Sequence, residues 1–395
     1  MKNVLEDLAA FGGTAAFSTP HSVGRPNIGN REALFQRLNA ALDRAWLSNG
    51  GPLAEEFERR IAEIAGTRFC VATCNATAGL QLALRAAGVT GEVIVPSMTF
   101  AATAHAVSWI GLTPVFCDVD PVTGAIDPTH AASLIGPETS AILAVHVWGR
   151  AAPVRELEDL AQRHGLALFF DAAHAFGCTA GGRPVGGGGD GEVFSFHSTK
   201  FVNSFEGGAL VTDNPELATR ARRMRNFGIA EADQVEYVGL NAKLNEAAAA
   251  MGLTSLDSMD RFVAQNRANY LAYRDGLAGL PGIAVLGFDE RERNNYQYVI
   301  VTVDERAAGL DRDALLGILA AENVYGRAYF SPGCHQMRPY DSGDRLPHTE
   351  RLASRVLALP TGIAVLPQDA ALIAGVIRLA VRHAASAAAA AAAAA

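Results

Sequence analysis

The chain has 395 residues, of which 49% are hydrophobic and 19% charged, and a formal net charge of −8. That length predicts two domains, and without a basic cluster the charge argues against a nucleic-acid partner. Outside the terminal alanine tract no apolar run is long enough to span a bilayer, and Met1 to Gly12 lacks the basic-then-apolar pattern of a signal peptide, so a cytoplasmic chain without membrane contact is expected.

The first predicted helix follows Asn30, a suitable N-cap, and runs through Leu34, Leu38, Leu42 and Trp46 at helical spacing. Asn49-Gly50-Gly51-Pro52 ends it, and a second amphipathic helix runs from Leu53 through Phe57 and Ile61 to Ile64. The five cysteines, Cys70, Cys74, Cys117, Cys178 and Cys334, are odd in number and widely spaced. No second Cys pair or nearby His pair completes a zinc site, so reduced thiols and no metal are expected. From residue 68 short apolar runs alternate with helical patterns. The runs are Phe69–Ala72, Val93–Val95, Pro114–Cys117, Ala141–Val145 and Leu166–Phe170; the helical stretches are 78–87, 101–110, 128–135 and 153–164. Strands joined through helices imply crossovers, hence an α/β fold with a mostly parallel central sheet flanked by helices.

Two further strands, Val193–Phe196 and Ala209–Thr212, bracket Lys200, and helices are expected over Pro215–Phe227 and Asn241–Tyr273. Gly186–Gly189 precedes no helix and reads as a turn rather than a dinucleotide loop. After residue 275 the pattern loosens into a strand at Tyr296–Val303, a helix at Arg312–Glu322, a Pro/Gly/aromatic loop at Phe330–Tyr340 and a helix at Ala370–Arg382. The expected organisation is therefore a large domain with its N-terminal segment (1–275), a smaller α+β C-terminal domain (276–383) and a low-complexity alanine tail (384–395).

Three clusters fall where ligands sit in parallel α/β sheets, at the carboxyl ends of strands. Cys74-Asn75-Ala76-Thr77-Ala78-Gly79 joins a strand to a helix, so free N–H groups, the helix dipole and a Thr hydroxyl suit a phosphate; the same residues also read as a plain helix cap. Asp171 ends an apolar strand, and a buried carboxylate needs a cationic or donor partner, such as a protonated pyridine nitrogen; a helix N-cap is the other reading. Lys200 follows an apolar strand within Phe194-Ser-Phe-His-Ser-Thr-Lys-Phe201. In an apolar pocket its pKa falls and it can form an imine; on the surface it would be an ordinary lysine.

In their order along the chain these clusters resemble the DegT/StrS-type sugar aminotransferases. The resemblance runs from about Gly24 to Arg382 and is carried by Glu92-Val-Ile-Val-Pro-Ser-Met-Thr-Phe100, Asp171-Ala-Ala-His174, Ser195-Phe-His-Ser-Thr-Lys200 and Glu206-Gly-Gly208. It implies the type I aminotransferase fold and pyridoxal 5'-phosphate (PLP) as cofactor. By position, Lys200 matches the lysine bonded to PLP and Asp171 the partner of its ring nitrogen. Phe100 matches an aromatic stacked on the ring and His174 a residue near the phenolic oxygen, with Ala173 beside it. Thr77, Ala78 and Ser195 match phosphate contacts. Asn241 matches an Asn that reaches the phosphate from the partner subunit, which implies a homodimer with shared active sites. Trp46–Gly50 and Tyr329–His335 resemble regions lining the substrate cleft. Where the family often has Gly before Glu-Gly-Gly, this chain has Phe205.

The resemblance implies transfer of an amino group from L-glutamate to a keto sugar nucleotide. The nearest wording is that of members acting at C4, with dTDP-4-keto-6-deoxyglucose as first choice. The product would be dTDP-4-amino-4,6-dideoxyglucose or its C4 epimer, made for natural-product (antibiotic) or surface-glycan assembly. Action at C3 and a UDP or GDP sugar stay open. A dehydratase of the same fold carries His at the lysine position, against Lys200 here. A non-catalytic PLP-binding regulator is the rival from another class, disfavoured by the three clusters occurring together. A nicotinamide oxidoreductase lacks support because no G-x-G-x-x-G turn follows the first strand.

Overall fold

The computed structural model describes residues 2–231, 234–341 and 343–386, so most of the alanine tail lies outside the described residues. A short strand β1 (His21–Ser22) precedes helices α1 (Arg31–Asp43) and α2 (Pro52–Ala65). The chain then builds β2 (Phe69–Thr73), α3 (Ala76–Ala86), β3 (Glu92–Pro96), α4 (Ala101–Trp109), β4 (Thr113–Cys117), α5 (Pro128–Ser133), β5 (Thr139–Val145), α6 (Val154–His164) and β6 (Ala167–Asp171). A small hairpin, β7 (Thr179–Ala180) and β8 (Arg183–Pro184), leads to β9 (Gly191–Ser195), β10 (Gly208–Thr212) and α7 (Pro215–Arg225). The seven-stranded sheet has the order β2-β10-β9-β6-β5-β3-β4. Only β10 runs against its neighbours in this sheet, pairing antiparallel with both β2 and β9.

The strands are apolar at nearly every position because both faces are covered. Val71, Val93, Val95, Leu143, Phe169, Val193 and Leu210 point to one face and meet α3, α4 and α7. The alternate residues point the other way. Cys70, Ala72, Phe194 and Val211 meet α2 and, further along the chain, α8 (Glu246–Asp257), while Ile94, Ile142, Leu168 and Phe170 meet α5 and α6. The period of two along each strand fixes which side chains share a face.

After the ribbon β11 (Ile229–Glu231) and β12 (Gln234–Val235) come α8 and α9 (Met259–Leu277), then a second sheet. There β13 (Ile283–Val285), β14 (Val299–Val303) and β16 (Val356–Leu359) pair antiparallel in the order β13-β14-β16, and β15 (Val324–Tyr325) pairs with β1. Tyr270, Tyr273 and Leu277 of α9 share one core with Val299, Val301, Leu357 and Leu359 and with Ile373 and Ile377 of the helix Pro367–Arg382. Leu8 and Phe17 of the N-terminal segment belong to that same core.

Three predicted elements differ. The helix predicted through Trp46 stops at Asp43, because Ala45 takes a left-handed backbone (φ 51°), and Leu42 and Trp46 lie exposed. The helix predicted over Asn241–Tyr273 is two helices that meet at Ser258, which leaves helical geometry, while residues 241–244 lie before Asn245, the N-cap of α8. The strand predicted from Tyr296 begins at Val299, since Tyr296 also has a positive φ (54°). No helix among the described residues is long and apolar enough to cross a membrane.

The N-terminal segment is fastened by a fully buried carboxylate. Glu322 accepts the N–H groups of Ala9 at 2.8 Å and Ala16 at 2.6 Å and lies 3.0 Å from the Lys2 ammonium. Removing it leaves part-buried donors without an acceptor. Glu322→Ala should lower unfolding free energy by about 3 kcal/mol and expose residues 9–16 to limited proteolysis. Unchanged denaturation and cleavage would show that the carboxylate does not fasten this segment.

Candidate functional site

The carboxyl ends of β2, β3, β5, β6 and β9 open on a cavity of about 270 Å³. Thr77, Phe100, Asp171, Ala173, His174, Ser195 and Lys200 all line it. Two predicted residues do not. Ala78 is buried behind the rim, its N–H donating to Asn75 Oδ1 at 2.8 Å. Asn241 is exposed, on a segment bridged to Asn226 and lying alongside the end of β2.

The phosphate-type cup follows from the cap of α3. Asn75 Oδ1 takes the amide of Ala78 and its carbonyl takes that of Gly79, so these two are spent. The amides of Ala76 and Thr77 have no partner among the described residues and stand at the positive end of the helix, where an anion is favoured. Gly208 closes against them: a Cβ there would stand 2.5 Å from the Ala76 nitrogen, so only glycine permits this approach. Ser195 sits beside the cup at the end of β9.

Asp171, 6% exposed, ends β6. Its Oδ2 accepts from Thr103 Oγ1 at 2.7 Å and its Oδ1 from the Ala173 N–H at 3.1 Å. Thr99 Oγ1 lies 2.8 Å from Thr103 Oγ1; with the Thr103 proton given to Asp171, Thr99 donates to Thr103. Burial raises the Asp171 carboxyl above its usual range, against the two donors and the Lys200 charge, which lower it. A cationic N–H in the cavity would hold this carboxylate ionised.

His174 is buried, and its Nδ1 accepts the Trp148 N–H at 3.2 Å, which leaves the ring proton on Nε2. Burial, and then the charge of Lys200, pushes its pKa well down, so it acts as a neutral donor. Its ring lies parallel to Phe330 at 5.8 Å and edge-on to Tyr298 at 5.0 Å. Phe100, the N-cap residue of α4, is 60% exposed and faces Phe330 at 6.1 Å. An aromatic this exposed at a cavity rim is placed to cover a flat ligand.

Lys200 has an amine drawn down to about 8, because burial disfavours the ammonium more than Asp171 favours it. Its Nζ stands 6.0 Å from the Tyr298 ring centroid. The cavity thus offers an anion cup, a carboxylate for a ring cation, a neutral donor, a covering aromatic and a weakly basic amine. That donor set fits PLP: the cup would take a phosphate, Asp171 a protonated ring nitrogen and Lys200 an aldehyde carbon.

The sequence reading missed Thr103 and Tyr298 and gave no role to His197 and Glu206, although both stand in the matching motifs. His197 Nε2 lies 3.3 Å from Glu206 Oε1 at the cavity edge. The spacing of Thr99 and Thr103, four apart at a helix start, was a usable signal for the first. Tyr329 and Phe330, from the segment that resembled cleft-lining regions, do line the cavity, whereas Trp46–Gly50 is absent from its walls. Phe205 holds a left-handed backbone (φ 61°), the conformation for which a glycine is suited.

The model of the DegT/DnrJ/EryC1/StrS aminotransferase family matches residues 29–378. A dTDP-4-amino-4,6-dideoxy-D-glucose transaminase of Shigella dysenteriae is 35% identical over 344 residues, 86% of this chain and 94% of that protein. The crystal structure of DesI in the presence of its TDP-sugar product superposes with a TM-score of 0.94 at 56% identity, covering 97% of this chain and 98% of that one. The aminotransferase TlmJ from Streptoalloteichus hindustanus superposes with a TM-score of 0.86 at 30% identity, covering 93% of this chain and all of that one.

The amine makes a direct prediction. Acylation of Lys200 in cofactor-free protein, followed by peptide mass mapping, should rise with pH through a midpoint of about 8. The neutral amine is the reactive form, so labelling falls off below that pH. A midpoint near 10.5, the value of an ordinary lysine, would show that the pocket does not hold the amine neutral.

Proposed function

The chain belongs to the DegT/DnrJ/EryC1/StrS aminotransferase family, and from that premise we propose that it moves an amino group from L-glutamate to C4 of dTDP-4-keto-6-deoxyglucose. The observation that carries the reading is the convergence of Lys200, Asp171 and the α3 cup on one cavity. The C4 position is supported by the name of the Shigella dysenteriae relative, and the thymidine nucleotide by that name and by the TDP-sugar product of DesI.

Enzymes of this family use PLP, which when bound supplies an aldehyde carbon and an electron-accepting ring. The amides of Ala76 and Thr77, with Ser195, hold the phosphate. Asp171 keeps the ring nitrogen protonated, helped by donors from Thr103 and Ala173. Phe100 covers one ring face, and His174 Nε2 donates toward the phenolic oxygen. Lys200 Nζ, freed when the amino donor is bound, takes the proton from the donor's α-carbon and would deliver it to the cofactor's former aldehyde carbon, the same transfer running in reverse for the keto acceptor. Tyr298, Tyr329 and Phe330 keep water from that proton transfer.

The working form we propose is a homodimer with shared sites, in which Asn241 reaches the phosphate of the partner's site. Support comes from the exposure of Asn241 and from exposed Phe35, Leu42, Trp46 and Leu47 on α1 and the loop after it.

Purified protein should be yellow, and L-glutamate should convert its absorbance to that of the aminated cofactor. The aminotransferase reading fails if neither glutamate nor any other amino donor does so. Lys200→Ala should lower turnover by about 10³-fold or more. Mass analysis after incubation with 4-keto and 3-keto sugar nucleotides decides the acceptor, and an unchanged dTDP-4-keto-6-deoxyglucose removes the proposed one. Asn241→Ala should weaken cofactor retention about tenfold, the worth of one hydrogen bond to a charged group; undiminished affinity counts against shared sites.

A further inference from the structure

Between Phe196 and Gly207 the chain leaves the sheet, and Lys200 sits at a turn closed by its own N–H on the His197 carbonyl at 2.8 Å. The peptide groups on either side of it are held by one side chain from about a hundred residues away. Gln297, buried just before β14, accepts the Phe201 N–H on Oε1 at 2.7 Å and donates from Nε2 to the Thr199 carbonyl at 2.9 Å. The amide meets the backbone around Lys200 as one rung of a β ladder would. An amide offers both a donor and an acceptor there, whereas an ionised Glu accepts only and Met donates nothing and accepts weakly.

Gln297 is itself fixed. Its N–H donates to Asn295 Oδ1 at 2.9 Å. Asn295 Nδ2 donates to the carbonyls of His174 at 2.8 Å and Phe176 at 3.2 Å, and Asn266 Nδ2 donates to the Asn295 carbonyl at 3.0 Å. One short segment therefore grips the His174 turn and the Lys200 turn together. The Phe201 carbonyl is tied separately, by Asn27 Nδ2 at 3.0 Å.

We propose that Gln297 is a positioning residue for the Lys200 amine: by holding both flanking peptide groups it sets where Nζ stands relative to Asp171 and His174. The inference rests on the aminotransferase reading and adds to it a residue outside the cavity walls. A lysine has four freely turning side-chain bonds, so its reach is set by where its backbone begins. Misplacement by about 1 Å can lower a rate about 100-fold.

The test uses full-length protein loaded with PLP, as wild type, Gln297→Met and Gln297→Glu. Four quantities are read: thermal midpoint, KM for L-glutamate, the rate of the absorbance change on adding glutamate, and the pH midpoint of the visible absorbance. Q297M should keep KM within about threefold and slow the absorbance change roughly 30- to 100-fold. Its pH midpoint should shift by about half a unit or more. Q297E, which keeps the acceptor for the Phe201 N–H, should recover part of the rate, and its charge near Lys200 should raise the midpoint. A wild-type rate and midpoint in Q297M would overturn the proposal, as would a loss that follows the thermal midpoint alone. If Q297M does not fold, Q297E decides on the same two readings, and a wild-type rate and midpoint there overturn it. A wild type unresponsive to every amino donor defeats the aminotransferase reading itself. A responsive wild type matched by its variants defeats only the role of Gln297.

Discussion

Burial of one amine is the constraint on which the rest of the site depends. Lys200 stands where an ammonium is poorly solvated, and the same apolar walls raise the Asp171 carboxyl and lower His174. Three ionisable groups in one cavity are each pushed toward their neutral form. Asp171 resists because Thr103 and Ala173 donate to it, so it is the group that a ring cation would restore to full charge. A cationic ring nitrogen beside Asp171 would thus be favoured by solvation alone.

That cavity is shared between two parts of the fold. The parallel sheet contributes the polar groups, because its strand ends and helix starts converge there. The C-terminal part contributes the opposing wall of Tyr298, Tyr329 and Phe330. The two are laced together elsewhere as well. Asp118, just past β4, accepts the Thr349 N–H at 2.7 Å and its hydroxyl at 2.8 Å, and buried Ser97 Oγ lies 2.6 Å from His335 Nδ1. The Arg150 guanidinium donates to the Leu286 and Gly287 carbonyls and lies 4.0 Å over the Phe288 ring.

The sheet was legible in the sequence because strands buried on both faces read as apolar runs, and Asp171 stood out as a charged residue directly after one such run and Lys200 as one a few residues after another. Where local backbone overrode periodicity, legibility ended: Ala45 stops α1 short of Trp46, and Ser258 divides what read as one long helix. Strands β13 and β16 escaped notice because short edge-like strands leave little alternation to detect. Gln297, Tyr298 and Thr103 act on groups far away in the chain, and nothing near them in sequence reveals that partner. Amide–backbone pairing of this kind leaves no periodic trace.

Leu8 and Phe17 pack into the same core as Ile373 and Ile377, and Glu322 grips the segment between them. A growing polypeptide exposes those first apolar residues long before their partners exist. The parallel sheet can assemble while the ribosome is still translating, but the leading segment must wait, solvated or shielded by a chaperone, until more than 300 further residues have emerged. That core therefore closes only after the residues around Glu322 and Ile377 have been made.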